Sequence, residues 1–326
     1  MGLAGLLTRT QQVGASRAAP HKLGPVPATL IVNPWASGVT PELVAAVERE
    51  LAADGPLETL LTTRGGHATE LAAEASERSD RMYVFSGDGG FNEVVNGAAD
   101  GVALGFLPGG GTSVLPRALG IPRDPVTAAR TLARFGRERT ISTGRVEASV
   151  DGEPMLDRRF AFGAGLGLDA ELVRAIDRRG RARGRRPGDA RFALELGRLL
   201  VARRGRFAPA LTVVGHGRAA FAIVANGDPY TYAGPVALHV APDARFELGL
   251  DLAAPAELSP VKIGALPFAL RGRGRGAWIL RAHDQDELRV EADGPMALQL
   301  DGEDVGDVTA ATFRAERESL RVLVPR

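Results

Sequence analysis

No cysteine occurs in the 326 residues, which excludes disulfides, thiolate metal sites and a cysteine nucleophile. Lysine is nearly as scarce: Lys22 and Lys262 stand alone, and every other basic residue among the 40 is arginine. No lysine falls in a glycine-rich stretch, so the G-x-x-x-x-G-K-[ST] loop is absent. A phosphate site in this chain must rely on backbone N–H groups, hydroxyls, arginine and metal. Aromatic residues make up only 5%; they do not interleave with the basic stretches to stack bases, and no nucleic-acid partner is expected. Nowhere do about 18 apolar residues run together, so no membrane-spanning helix is expected. A net charge of +1 with 44% hydrophobic residues is an ordinary folded composition, and the length suits two cores rather than one.

Glycine, by contrast, is abundant and clustered. In Val84-Phe85-Ser86-Gly87-Asp88-Gly89-Gly90 and again in Gly105-Phe106-Leu107-Pro108-Gly109-Gly110-Gly111-Thr112-Ser113, an apolar run that reads as a buried strand stops at glycines and gives way to a helix-like segment. Backbone N–H groups freed by glycine and by a helix N-terminus converge readily on an anion.

Residues 1–27 have no period and read as a flexible tail. From Ala28 to about residue 140, strand and helix alternate: strands at 28–32, 57–61, 82–85 and 103–107, and helices opened by Thr40-Pro41, Gly66-His67 and Asp124-Pro125. In the last helix Ala128, Leu132 and Phe135 share a face. This is the pattern of a Rossmann-like parallel α/β domain with ligands at the carboxyl ends of its strands. Residues 141–326 shift to short alternating segments joined by Asp151-Gly152, Asn226-Gly227, Asp293-Gly294 and Asp301-Gly302, and read as an antiparallel β-sandwich domain. Within it, residues 174–206 carry twelve arginines against three acids, a net +9. That insertion reads either as a solvated basic face or as a surface docking on anionic lipid.

The spacing of these motifs resembles the diacylglycerol kinase catalytic family, the diacylglycerol and sphingosine type of lipid kinase related to NAD kinases. The anchors are Ile31-Val32-Asn33-Pro34-x-x-Ser37-Gly38, Thr62-Thr63-x-x-x-His67, Ser86-Gly87-Asp88-Gly89-x-x-Asn92-Glu93-Val94-Val95-Asn96-Gly97 and Leu107-Pro108-Gly109-Gly110, followed by Gly165-x-Gly167-x-Asp169-Ala170, Asn226-Gly227 and Leu300-Asp301-Gly302-Glu303. The resemblance implies an α/β nucleotide domain, a β-sandwich domain, and a cleft where ATP with Mg²⁺ meets a lipid hydroxyl. It implies nucleotide contacts from Asn33, Ser37, Gly38, Thr62, Thr63, Gly87, Asp88, Gly89, Glu93, Asn96, Gly109, Gly110, Thr112 and Glu303. It also implies a general base at Asp301 or at Asp88, metal held by Asp88 and Glu303, and a lipid head group read by Asp169. A cytoplasmic enzyme in peripheral contact with anionic membrane, and a homodimer, are further implications.

From the residues alone Asp301 is a hairpin-turn residue and Asp169 a helix cap, and those readings stand beside the functional ones. Three departures from the family pattern stand out, one of them Glu247-Leu248-Gly249-Leu250-Asp251 in place of the usual Asp-Gly-x-Leu-Asp, the stretch that implies a structural cation site. Gly90 replaces the usual threonine after Gly-Asp-Gly, and Ser113 the usual asparagine after Pro-Gly-Gly. Binding of lipid or nucleotide without turnover, and phosphorylation of a soluble hydroxyl compound, are the alternatives to lipid kinase activity.

Overall fold

A computed structural model of the protein describes residues 28–181, 189–270 and 278–326. The tail expected over residues 1–27, and the middle of the basic insertion, lie outside the described residues.

The first lobe runs β1 (Ala28–Val32), α1 (Pro41–Ala52), β2 (Leu57–Leu61), α2 (His67–Ser76), β3 (Arg81–Ser86), α3 (Asp88–Gly97), β4 (Ala103–Pro108), α4 (Val114–Ala118) and α5 (Pro125–Phe135). The expected caps form: Thr40 accepts from the Leu43 N–H, and Asp124 accepts from the Thr127 N–H at 2.7 Å. Strands β1 to β4 are parallel in the order β2-β1-β3-β4. They are covered by α1 with α5 and α2 with α3, which is why β3 and β4 read as unbroken apolar runs. Phe135 departs from expectation. It is the last residue of α5, and the turn into the next strand leaves it exposed.

The second lobe begins with β5 (Gly136–Val150), β6 (Glu153–Phe160), β7 (Gly163–Leu166), α6 (Leu168–Arg181) and α7 (Asp189–Ala202). The short strands β8 (Leu211–Val213), β9 (Gly217–Ala219), β10 (Ala222–Ala225), β11 (Thr231–Ala233) and β12 (Val236–Leu238) follow. It closes with β13 (Leu250–Pro255), α8 (Pro260–Leu270), β14 (Ile279–Gln285), β15 (Glu287–Leu300) and β16 (Glu303–Pro325). Its antiparallel strands make a β-sandwich around Phe160, Leu166, Val224, Leu252, Leu298 and Phe313. Asp151-Gly152 and Asp301-Gly302 are two-residue turns with positive φ at both positions, closing Val150 on Glu153 and Leu300 on Glu303. Asp293-Gly294 does not turn the chain. It lies within β15, where the register with β16 shifts between Glu291 and Met296.

Strand β16 joins the lobes. It pairs antiparallel with β15 and β5, then runs on to pair parallel with β4 at Arg321–Ala103 and Val322–Leu104. Leu320, Val322, Leu323 and Val324 are buried in the core of the first lobe. Residues assigned by sequence pattern to the second domain thus complete the sheet of the first, because the open edge of β4 has no other partner among the described strands.

Candidate functional site

Reversal of strand order between β1 and β3 opens a crevice at their carboxyl ends, the usual ligand position of such sheets. The loops after β1, β3 and β4 meet there through glycine. The Gly38 N–H donates to the Gly109 carbonyl at 2.8 Å, and the Gly109 N–H to the Ser86 carbonyl at 2.7 Å. A Cβ on Gly38 would lie 3.0 Å from that same carbonyl, and one on Gly110 would lie 2.8 Å from the Gly87 Cα. Only glycine permits these backbones to approach so closely. Asp88 opens α3, and its Oδ1 accepts the Val114 N–H of α4 at 2.7 Å, tying the two glycine loops together.

Gly90 has a local cause. A Cβ there would sit 2.1 Å from Ser86 Oγ, which is buried and has no hydrogen-bond partner among the described residues. The serine occupies the room a larger residue at 90 would need. Ser113 adopts a left-handed conformation with φ 48°, and its hydroxyl closes the loop on the N–H and carbonyl of Gly110 at 3.3 and 3.2 Å.

Other expected nucleotide contacts are spread around this cradle. Asn33 turns its Oδ1 to the Trp35 N–H, while Ser37 and Gly38 lie on the exposed rim. Gly87 and Gly89 flank Asp88 in the cradle, and Thr112 is partly exposed in the third loop. Thr62 is buried at the end of β2, and its N–H binds the Val32 carbonyl. Thr63 and Glu93 also hold the neighbouring helix: the Thr63 N–H donates to His67 Nδ1 at 3.1 Å, and Glu93 accepts the Ala68 N–H in the first turn of α2. Both therefore brace α2.

The second half of the site comes from the Asp301 turn. Asp301 is only 2% exposed, and its carboxylate accepts four hydrogen bonds. Oδ1 takes the N–H groups of Phe162 (2.9 Å) and Gly163 (3.1 Å), while Oδ2 takes the Ala161 N–H (2.6 Å) and Asn92 Nδ2 (2.7 Å). Burial pushes this carboxyl above the ordinary carboxylate value, and the four donors pull against that rise. The last donor is on α3 of the first lobe, so Asp301 is a contact between lobes. Asn92 also accepts Arg158 Nε at 2.7 Å, and Arg158 Nη2 reaches Glu303 at 2.9 Å. A chain of contacts thus runs from Asp301 through Asn92 and Arg158 to Glu303. Asn96, one turn along α3, accepts the Arg159 N–H and donates to the Arg159 carbonyl, fixing the end of β6 against the first lobe. Asn226 braces that segment from behind, donating to the Ala161 carbonyl at 2.7 Å and the Ser142 carbonyl at 2.8 Å.

Asp169 belongs to a neighbouring buried cluster. Its Oδ2 accepts Tyr230 Oη at 2.7 Å and Gln299 Nε2 at 2.8 Å. Burial raises the Asp169 pKa against those two donors. It also lifts the Tyr230 phenol well above its usual value, with the Asp169 charge adding to the effect. Glycines of β7 make room: a Cβ on Gly163 would strike the Tyr230 ring at 2.6 Å, and one on Gly165 the Asp169 carboxylate at 2.1 Å.

Asn92 and Arg158 were not singled out as site residues from sequence. Asn92 lay inside the recognised motif. For Arg158 the available signal was an Arg-Arg pair near the end of β6. Among the described residues no group of three or more acidic or histidine side chains forms a ready-made metal cage, and none of the described helices is long and apolar enough to cross a membrane.

The site joins a glycine cradle on a parallel sheet to a buried acid of the second lobe through Asn92. Residues 27–146 match the sequence of the diacylglycerol kinase catalytic domain. A diacylglycerol kinase of Bacillus subtilis (strain 168) is 42% identical over 92 residues, and the match spans 27% of this chain and 30% of that relative. Over 92% of this chain and 97% of the other, the fold superposes on the crystal structure of a diacylglycerol kinase from Bacillus anthracis str. Sterne with a TM-score of 0.66 at 19% identity. Another structure from that organism gives 0.69 at 21% identity over the same shares. The resemblance to the diacylglycerol kinase catalytic family thus holds in the sequence of the first lobe and in the fold of the whole described chain.

Proposed function

We propose that the protein is an ATP- and magnesium-dependent lipid kinase that transfers the γ-phosphoryl group to a hydroxyl of a diacylglycerol-like or sphingoid lipid, from the cytoplasmic side of an anionic membrane. The observation that carries this reading is the hydrogen bond from Asn92 to Asp301, which joins the helix rising from the glycine cradle to the buried acid of the opposite lobe.

The cradle fits a nucleotide: glycines whose side-chain space is already taken by neighbouring backbone draw its loops together, and α3 points its N-terminus at the same place. Magnesium needs only one or two protein carboxylates besides phosphate oxygens and water, and Asp88 and Glu303 offer one from each lobe. Bound there, it would neutralise charge on the transferring phosphate. Arg158 supplies further positive charge beside Glu303 and holds Asn92 in place. As general base, Asp301 would take the proton of the acceptor hydroxyl. A carboxylate has about four lone-pair positions, and all are filled here, so one donor must let go. Asn92 is the side chain among the four, and opening of the lobes would release it while the backbone N–H groups stay. Asp169, with Tyr230 and Gln299, would then read the polar head of the lipid.

One observation favours a second reading, binding without turnover: in this arrangement Asp301 has no acceptor position to spare. Incubation with labelled ATP, Mg²⁺ and a panel of dispersed diacylglycerol, sphingosine and soluble polyols separates the possibilities. Label in a lipid product supports the proposal. Label only in a soluble polyol overturns the lipid assignment, and nucleotide binding with no transfer to any acceptor supports the second reading.

A further inference from the structure

Helix α8 is apolar on both sides. Ile263, Leu266 and Leu270 pack onto the cluster formed by Phe207, Phe221, Tyr230 and Leu258. The opposite stripe, Val261, Gly264, Ala265 and Phe268, recurs at i, i+3, i+4 and i+7 and is exposed, with Val261 at 83% and Phe268 at 65%. A helix on the surface of a folded protein normally turns charged or polar residues outward, and one that is apolar all round is buried in something. Nothing among the described residues covers this stripe.

Its surroundings say what does. The turn that follows α7 packs on the first turn of α8 at Gly205, where a Cβ would lie 3.2 Å from Pro260 and 3.3 Å from Ile263. Exposed Arg204 and Arg206 flank that glycine, and Val201, 77% exposed, lies one turn before them in α7. An exposed apolar helix face whose first turn meets an arginine-bearing turn is the combination that settles into the head-group region of an anionic bilayer. A second copy of the chain fits less well, because a two-fold interface would bring the same arginines face to face. A stripe of three side chains and a glycine also falls short of the roughly 800 Å² per partner of a stable dimer.

We propose that α8 and the end of α7 form a membrane-docking face, with Val261 and Phe268 inserted among the acyl chains and Arg204 and Arg206 on anionic head groups. The lipid-kinase reading is what makes a bilayer the expected meeting place, and the inference rests on it for that alone.

Full-length protein is floated with vesicles of one part phosphatidylglycerol to two parts phosphatidylcholine, without ATP, alongside a Val261→Glu/Phe268→Glu variant and an Arg204→Ala/Arg206→Ala variant. The wild type is expected to bind. The glutamate variant should bind about tenfold or more weakly at every salt concentration, whereas the alanine variant should bind more weakly chiefly at low salt. Unchanged melting curves would confirm that these exposed changes leave the fold intact. Equal binding by wild type and glutamate variant, or no binding by either, overturns the proposal. So does a wild-type dimer in sedimentation velocity that the glutamate variant dissociates, since a second copy would then be the cover. Transfer to dispersed short-chain diacylglycerol, measured in parallel, reports on the kinase reading separately: activity there without vesicle binding sinks the docking face and leaves the kinase standing.

Discussion

Replacing Asp301 by asparagine tests whether this acid is locked into the fold as tightly as its geometry says. Each carboxylate oxygen receives two donors, but an amide has one oxygen and one NH₂ group. Whichever way the amide is turned, its NH₂ faces two N–H donors and those two bonds are lost. Hydrogen bonds to a charged group contribute about 1.5–3 kcal/mol each, so the gross loss is about 3–6 kcal/mol. Relief from burying a charge offsets part of it, leaving about 2–4 kcal/mol net. With a urea slope of about 3 kcal/mol per M, the unfolding midpoint should fall by roughly 1 M with the slope unchanged. Asn92→Ala, which removes one donor and leaves the three backbone groups in place, should lose about 1–3 kcal/mol. The double variant should fall short of the sum of the two, because both act on one bonded pair. An Asp301→Asn protein within about 0.5 kcal/mol of wild type would refute the idea that three N–H groups are aimed at a carboxylate. Transfer should be assayed well below the new midpoint, so that loss of the base is not confused with loss of the fold.

Three further outcomes are expected. Gly90→Ala should destabilise by about 1–3 kcal/mol through contact with Ser86, and Ser86→Gly should restore most of that loss, which a four-member denaturation cycle would show; simple additivity would remove the steric account of Gly90. Arg158→Lys keeps the charge but not the fork that reaches Asn92 and Glu303 together; labelled-ATP transfer should fall about tenfold while stability drops by about 1 kcal/mol, and unchanged transfer would reduce Arg158 to a brace. His283 is raised above its ordinary value near 6.5, chiefly by its hydrogen bond to Asp251. The stability this pair gives is therefore full below about pH 6.5 and is lost as pH climbs through the raised value. An imidazole NMR titration should show the elevation in the wild type and its loss in Asp251→Asn; equal midpoints would exclude the pairing.

The first lobe was legible because its signals are local. Thr40, Asp124 and the glycine clusters announce helix starts and loops within a few residues, and β3 and β4 are apolar runs of strand length. The long strands of the second lobe were seen only in pieces, since β16 changes neighbours along its length and slips register between Glu316 and Leu320. Strand β6 ends at Phe160 because the N–H groups of Ala161 and Phe162 turn to Asp301. Helix α8 escaped because a segment apolar on both faces and interrupted by Gly264 has no helical period to detect. In the site, the Asp-Gly dipeptide revealed the turn at 301 but not its burial. The Asn92–Asp301 contact spans 209 residues and the Arg158–Asn92 contact 66, separations at which no local pattern carries information.

The crossing strand also bears on how the molecule is made. As a polypeptide leaves the ribosome, β1 to β4 emerge early, yet the free edge of β4 must wait for Arg321 and Val322, more than two hundred residues later. Until then the nascent first lobe holds an unpaired parallel edge over a core still missing Leu320, Val322 and Val324. Fusions or clipping at the carboxyl end should therefore harm the lobe that is synthesised first.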